Sequence, residues 1–332
     1  MNSIKSNRVS LIAMLAFLLV GLTDFRGTQA QTLARQPGLF YWTADKQSVT
    51  LKQGKDVVLK YEFSSGTKPI VYPIIGPGGA PMTRDYPMTD APEGGTKDHI
   101  HHRSLWLTHG EVNGVDFWLE DAKKAGRIVH DKVESISATD KVAKLVATAK
   151  WITPDDRTLL YERRTMTVTG TQDDREIEFE FDLVAADEEV HFGDTKEGSF
   201  AIRVPDSMAV DQAKGGAILN EHGERDGETW GKRSRWVDYS GPVNDKVVGV
   251  SILEHPSSFG HPCRWHVRTY GLFAANPFGE HHFVGGKPTE GYKLAPGEKL
   301  HLHYKLLLHT GLGDAATIES KWKAFAAKAD AP

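Results

Sequence analysis

The segment KDHIHHRSLWLTHG, Lys97–Gly110, concentrates four of the chain's 15 histidines: His99, His101, His102 and His109. Asp98 and Arg103 lie among them. Three chemistries fit. An H-x-H pair such as His99 and His101 beside a carboxylate suits zinc or another divalent metal. Imidazoles that titrate near neutral pH suit acid/base work or hydroxyl recognition. Histidines also simply hydrogen-bond loops. If the segment is extended, His99, His101, Arg103 and His109 share one face and His102 the other, with a strand beginning near Arg103.

Two further stretches carry reactive side chains. HFGDTKEGSFAIRVP offers Asp194, Lys196 and Glu197 between Gly193 and Gly198, ahead of a short strand with Arg203. Glu197 is a candidate base, and Lys196 or Arg203 can balance an anion. EHPSSFGHPCRWHVRTYGLFAANPFGEHHF places His266, Arg268 and Tyr270 two residues apart, so that a strand would project them together, with Asn276 following. Polar groups interleaved with Trp265, Phe273 and Phe278 are what a sugar site requires: rings cover the apolar sugar face while Arg, Asn and His bond its hydroxyls. Asp226–Gly241 supplies Trp230, Trp236 and Asp238, which fit a groove wall or a pinned hairpin; Trp236 joins the candidate ligand-binding set. HLHYKLLLH sets His301, His303, Lys305 and His309 on one strand face, solvated or groove-lining.

The elements that must position these residues are strands. REIEFEFDLV alternates Ile177, Phe179, Phe181 and Leu183 with Glu176, Glu178, Glu180 and Asp182, the pattern of a half-buried antiparallel strand. Similar alternation recurs at Val57–Phe63 and Leu145–Trp151. Turn signals fall at Pro77–Gly79, Thr153–Asp156, Thr171–Asp174 and Ser240–Asp245. One helix is expected in GDAATIESKWKAFAAKAD, capped by Asp314, with Ile318, Trp322 and Phe325 on one face. The expected fold is all-β: one large antiparallel β-sandwich over residues 31–332 with a C-terminal helix.

Residues 1–30 read differently. A basic start, the apolar run VSLIAMLAFLLVGL and small residues at Thr28 and Ala30 predict a cleaved secretory signal peptide and an exported, periplasmic or secreted, protein. No other segment approaches the about 20 apolar residues of a membrane span, so stable membrane insertion is not expected. Without residues 1–30 the chain has 37 Lys and Arg against 43 Asp and Glu, a net charge of −6, and no basic footprint for nucleic acid. Cys263 is the only cysteine, so no internal disulfide forms, and its setting reads as a buried inert thiol. There is no G-x-G-x-x-G, Walker loop, G-x-S-x-G or H-E-x-x-H, so nucleotide chemistry and serine hydrolysis have no support.

Taken together, YPIIGPGGAPMTRDYPM, KDHIHHRSLWLTHGEVNGVDFW, DTKEGSFAIRV, WVDYSG, HPSSF and RTYGLFAANPFG resemble a bacterial family of uncharacterised exported proteins, often labelled methane oxygenase-like. That label implies several membrane spans, which residues 31–332 do not offer. The chain also resembles, more loosely, the galactose mutarotase-like supersandwich. That resemblance implies a concave sugar-binding face with a histidine acid, among His99, His101, His102 and His266, and Glu197 as base. The expected function is an exported carbohydrate-active protein with acid/base chemistry on a sugar or sugar derivative: epimerisation, elimination or glycoside cleavage. His101, His102, Glu197 and His266 would be catalytic. His99, Arg103, Lys196, Arg203, Trp236, Arg268, Tyr270 and Asn276 would bind substrate. The alternatives are a non-catalytic glycan-binding module and a metal-dependent hydrolase or lyase using His99 and His101.

Overall fold

The computed structural model describes residues 38–120 and 124–328. The expected signal peptide lies outside them. Alternating side chains dictate two eight-stranded sheets. The first runs, in spatial order, β1 (Phe40–Ala44), β2 (Ser48–Gln53), β3 (Asp56–Glu62), β4 (Ile70–Ile74), β5 (Leu105–His109), β11 (Gly198–Arg203), β16 (Leu272–Asn276) and β15 (Arg264–Val267). The second runs β12 (Ala217–Asn220), β13 (Trp236–Val243), β14 (Lys246–Glu254), β18 (Lys299–Thr310), β9 (Arg175–Ala185), β8 (Thr158–Gly170), β7 (Val142–Ile152) and β6 (Arg127–Ala138). β10 (Val190–Phe192) and β17 (Tyr292–Leu294) form a separate ribbon. Every strand pairing is antiparallel.

The core lies between the two large sheets. Strand β9 turns Ile177, Phe179, Phe181 and Leu183 inward and its carboxylates outward. Phe200 of β11 meets Phe179 at 5.2 Å, Phe181 at 5.6 Å and Tyr304 at 4.9 Å between ring centres, which ties the first sheet to the second. Each such fully buried aromatic or aliphatic side chain contributes about 1.5–3 kcal/mol of burial energy. Cys263 is buried in this core, and burial pushes its thiol well above the ordinary range.

The C-terminal helix spans Ala315–Ala326, with Asp314 accepting a hydrogen bond from the Thr317 amide at 2.8 Å. Ile318 and Phe325 seal Leu219, Trp236, Leu253 and Leu307 on the outer face of the second sheet. The turn at Ser240–Asp245 is narrower than its composition suggests. Ser240, Gly241 and Pro242 stay paired in β13, and only Asn244 and Asp245 turn, with Asn244 at φ 54°. Such a two-residue hairpin needs positive φ, which Asn tolerates.

The outer face of the first sheet carries a second apolar layer of Ile70, Trp106, Trp118, Ala201, Leu272 and Ala274. The long connection 75–104 and the loops 110–120, 193–197 and 277–291 gather around it. Long ordered connections of this kind are where function usually resides.

Candidate functional site

Strand alternation decides which side chains reach this outer face. In β15, Trp265 and Val267 enter the core, so His266 between them points outward. In β11, Phe200 and Ile202 enter the core, so Arg203 points outward. The β15–β16 turn closes at Gly271, φ 103°, a conformation that only glycine adopts without strain. That turn carries Arg268 and Tyr270 over the same face.

The histidine segment arrives as a tight turn. His99 and Ser104 have positive φ, 46° and 57°, and the His102 amide donates to the His99 carbonyl at 2.9 Å. The strand begins at Leu105, two residues after Arg103. The turn brings three imidazoles together. His99 stacks on His102 at 4.6 Å and 7°, and His101 meets His102 edge-on at 4.6 Å. Tyr270 continues the stack, 5.2 Å from His99.

Behind the stack lies a buried ionic network. Arg203 donates to the Nδ1 of His102 at 3.1 Å and to the Asp98 carboxylate at 3.1 Å. Arg84 also pairs with Asp98, and His99 Nδ1 lies 2.5 Å from that carboxylate. Burial opposes ionisation of Asp98, but Arg203, His99 and Arg84 outweigh it and hold the carboxyl far below its ordinary range. Arginine can only donate, so His102 Nδ1 is an acceptor and its proton sits on Nε2. Burial, with His101 and Arg203 adding, drives His102 strongly toward the neutral form.

Opposite the stack, the 193–197 loop presents Lys196 and Glu197. Their side chains pair at 2.6 Å. The Lys196 carbonyl accepts from His266 Nδ1 at 2.7 Å and from Asn276 Nδ2 at 3.0 Å. His266 Nδ1 lies 3.9 Å from Glu197 Oε2. Burial first, with Arg268 and Lys196 charges adding, pushes His266 down to about 3. His101 falls to about 4, again through burial first and then the Lys68 charge. Asp116 faces the same space. Burial raises its carboxyl, with Glu197's charge adding, against two loop amides that stabilise the anion. These groups enclose an open groove of about 460 Å³, lined by His99, His101, His102, Asp116, Leu119, Lys196, Glu197, His266, Arg268 and Tyr270.

A model of the family of unknown function DUF6807 matches residues 48–323. The chain belongs to that family. No curated protein matches the sequence. Among solved structures, a galactose mutarotase related enzyme from Lactobacillus acidophilus shares 8% identity at a TM-score of 0.35, over 83% of this chain and 99% of its own. A galactose mutarotase-like protein from Lactobacillus casei shares 8% at 0.36, over 81% and 100%. A glycoside hydrolase family 97 enzyme from Pseudoalteromonas shares 9% at 0.31, over 82% of this chain and 34% of that one. At such scores these likenesses carry no functional weight.

This DUF6807 chain brings together His99, His101, His102, Lys196, Glu197, His266, Arg268 and Tyr270. Arg203 lies behind them and acts on them through His102 and Asp98. Asn276 is buried: its amide donates to the Thr195 and Lys196 carbonyls and accepts from the Phe278 and Gly279 amides, so it fixes two loops instead of facing the groove. Arg103 turns away, because the positive-φ turn directs it to Glu120 at 2.8 Å and Ser65 at 3.1 Å. Trp236 is on the other sheet, buried under the C-terminal helix with its indole N–H on Glu319 at 3.0 Å. The charged groove residue that the sequence reading passed over is Asp116. Its local signal is a short-range loop cap: its carboxylate accepts from the Trp118 amide at 2.7 Å and the Leu119 amide at 2.9 Å.

A metal finds a poor fit at His99 and His101. Among the described residues, the only set of three or more potential donors with ligand atoms within 4.8 Å of one another is Glu178, Glu180 and His303, on the second sheet. His99 Nδ1 is engaged by Asp98, and His102 Nδ1 by Arg203. No helix among the described residues is long and apolar enough to cross a membrane.

Proposed function

We propose that the chain is an exported carbohydrate-active protein that performs acid/base chemistry on a sugar or sugar derivative in this groove. One observation carries the reading: His266, its Nδ1 proton committed to the Lys196 carbonyl at 2.7 Å, stands beside the Glu197 carboxylate at 3.9 Å. A backbone acceptor on one ring nitrogen leaves the other, Nε2, as a lone-pair base. Glu197 supplies a second proton acceptor. His102, neutral with its proton on Nε2, supplies a hydrogen-bond donor for an oxygen that gains charge, and His101 stands edge-on beside it. Tyr270, which lines the groove, offers aromatic surface for a sugar ring. A base and a donor held around one small space are what epimerisation, elimination and glycoside cleavage share.

The test is turnover of a panel of sugars and oligosaccharides. Proton NMR follows anomer exchange and epimerisation, and absorbance near 235 nm follows elimination. Turnover that disappears in Glu197→Gln and His266→Asn supports the reading. Binding without any product, unchanged in both variants, replaces it with a glycan-binding module. The 2.6 Å contact that ties Glu197 to Lys196 is the observation that favours this second reading.

A further inference from the structure

We propose that the groove takes a sugar carrying a carboxylate, and that Arg268 is the residue that reads it. The inference rests on the carbohydrate reading above and narrows its substrate class.

Consider the charged groups that line the groove. Lys196 and Glu197 satisfy each other at 2.6 Å. Asp116 is held by two amides of its own loop. Arg268 differs. Among the described residues its side chain has no hydrogen-bond acceptor and no carboxylate partner. What holds it is aromatic: the guanidinium carbon lies 4.6 Å from the Trp230 ring centre and 5.5 Å from that of Tyr270. Aromatic contacts of this kind use the flat faces of a guanidinium and leave its N–H edge available. That edge is a rigid fork whose spacing matches the two oxygens of a carboxylate.

The surroundings add to the demand for an anion. Two imidazoles that share the groove with Arg268 are neutral, with His266 at about 3 and His101 at about 4, chiefly through burial. They therefore add no positive charge that would compete for the ligand, yet each can bond a hydroxyl. Arg203 also approaches Tyr270, at 4.9 Å, but it is already engaged by Asp98, so the uncommitted cation is Arg268. A uronic acid unit meets these terms. Its ring can lie against Tyr270, its hydroxyls meet imidazoles, and its carboxylate meets the fork.

The experiment is calorimetric titration of the full chain with matched ligands. The probes are oligogalacturonates, oligomannuronates and oligoglucuronates, the same preparations after chemical reduction of their carboxyl groups, neutral gluco- and galacto-oligosaccharides, and sulfated galactan oligosaccharides. Reduction keeps ring stereochemistry and removes only the anion. At least one uronate series should bind, and its reduced form should bind about 10- to 100-fold more weakly, the scale of a charge-assisted bidentate contact. Arg268→Gln should erase that difference, and Arg268→Lys, which keeps the charge and loses the fork, should fall between. The comparison of reduced with unreduced ligand uses the unaltered protein, so it does not depend on how a variant folds. Equal binding of reduced and unreduced forms overturns the inference. So does discrimination that persists in a folded Arg268→Gln, or binding restricted to the sulfated ligands. Neutral sugars bound or turned over while every uronate is ignored would remove this inference and leave the carbohydrate reading standing. A failure of every saccharide to bind would remove both.

Discussion

The Nδ1–H of His266 donates across 2.7 Å to the main-chain carbonyl of Lys196, the residue that precedes Glu197. One contact thereby fixes a ring tautomer and the loop that carries the neighbouring carboxylate. The two ring nitrogens can be separated by mutation. Asparagine at 266 can keep a donor near the Nδ1 position and lacks Nε2. His266→Asn should melt within a few degrees of the unaltered protein yet lose about 10²- to 10⁴-fold in kcat/KM, the scale of a general base. Turnover within threefold of the original would reduce His266 to a loop anchor.

Arg203 is 1% exposed and connects His102 with Asp98. Removing one member of a buried ion pair costs about 3–5 kcal/mol, and the low end applies here because the Asp98 side chain is 39% exposed and keeps Arg84 and His99. Arg203→Met should therefore lower unfolding free energy by about 3 kcal/mol in urea titration. Nitrogen NMR adds a readout that mere destabilisation would not move. His102 should carry its proton on Nε2 in the unaltered protein and populate both tautomers in the variant. An unchanged tautomer would mean that something other than Arg203 sets it.

Much of the fold was legible from period-two patterning alone. Along β9 the buried and part-exposed positions alternate without a break from Arg175 to Ala185, because an antiparallel strand with one face on the core admits no other placement of Ile177, Phe179, Phe181 and Leu183. The site was legible by residue type and only partly by direction. The assumption of an extended Lys97–Gly110 assigned His99 and His102 to opposite faces. Two positive-φ residues, His99 and Ser104, instead curl the segment, stack those rings and turn Arg103 outward to Glu120. Neither residue is glycine, so composition holds no sign of the turn. Trp236 misled for a different reason: a Trp in a strand serves a groove or a helix seat equally well, and the C-terminal helix that claims it lies 83 residues further on at Glu319.

That helix gives a separate prediction. Asp314 accepts from the Thr317 amide at 2.8 Å and from the Thr317 hydroxyl at 2.6 Å, so it satisfies one of the free N–H groups at the helix start. Asp314→Ala should cost about 1 kcal/mol. Because Ile318 and Phe325 cover Trp236, the loss should appear in tryptophan fluorescence as well as in the urea midpoint. A stability change with no change in the fluorescence of the folded protein would place the cap's effect on the helix end only.

Buried histidines set the response to acid. His109 donates from Nε2 to the Gly193 carbonyl at 2.7 Å and is 1% exposed; burial pushes it down to about 4. His266 is 2% exposed and falls to about 3. Both are neutral in the folded protein, while the unfolded chain protonates them near 6.5. As pH falls below 6.5 the unfolded state therefore binds protons first, and stability is lost until the folded pKa is reached. The stabilisation is complete above 6.5 and declines between 6.5 and about 3 to 4, by about 1.4 kcal/mol per pH unit for each fully buried group. His101 and His130, each lowered to about 4, add in the same direction. His309 opposes them: burial disfavours its charge, but the Asp238 carboxylate at 2.8 Å outweighs that and raises it. Asp116 and Glu254, whose carboxyls burial raises, oppose them as well. The lowered histidines outnumber these opposing groups, so urea midpoints should drop from pH 7.5 to pH 5.5. His109→Gln should reduce that slope by about one histidine's share, whatever its effect on stability at pH 7.5. A midpoint that is flat across this interval would mean that these imidazoles are already charged in the folded protein, and would remove the neutral histidines on which the proposed chemistry of the groove depends.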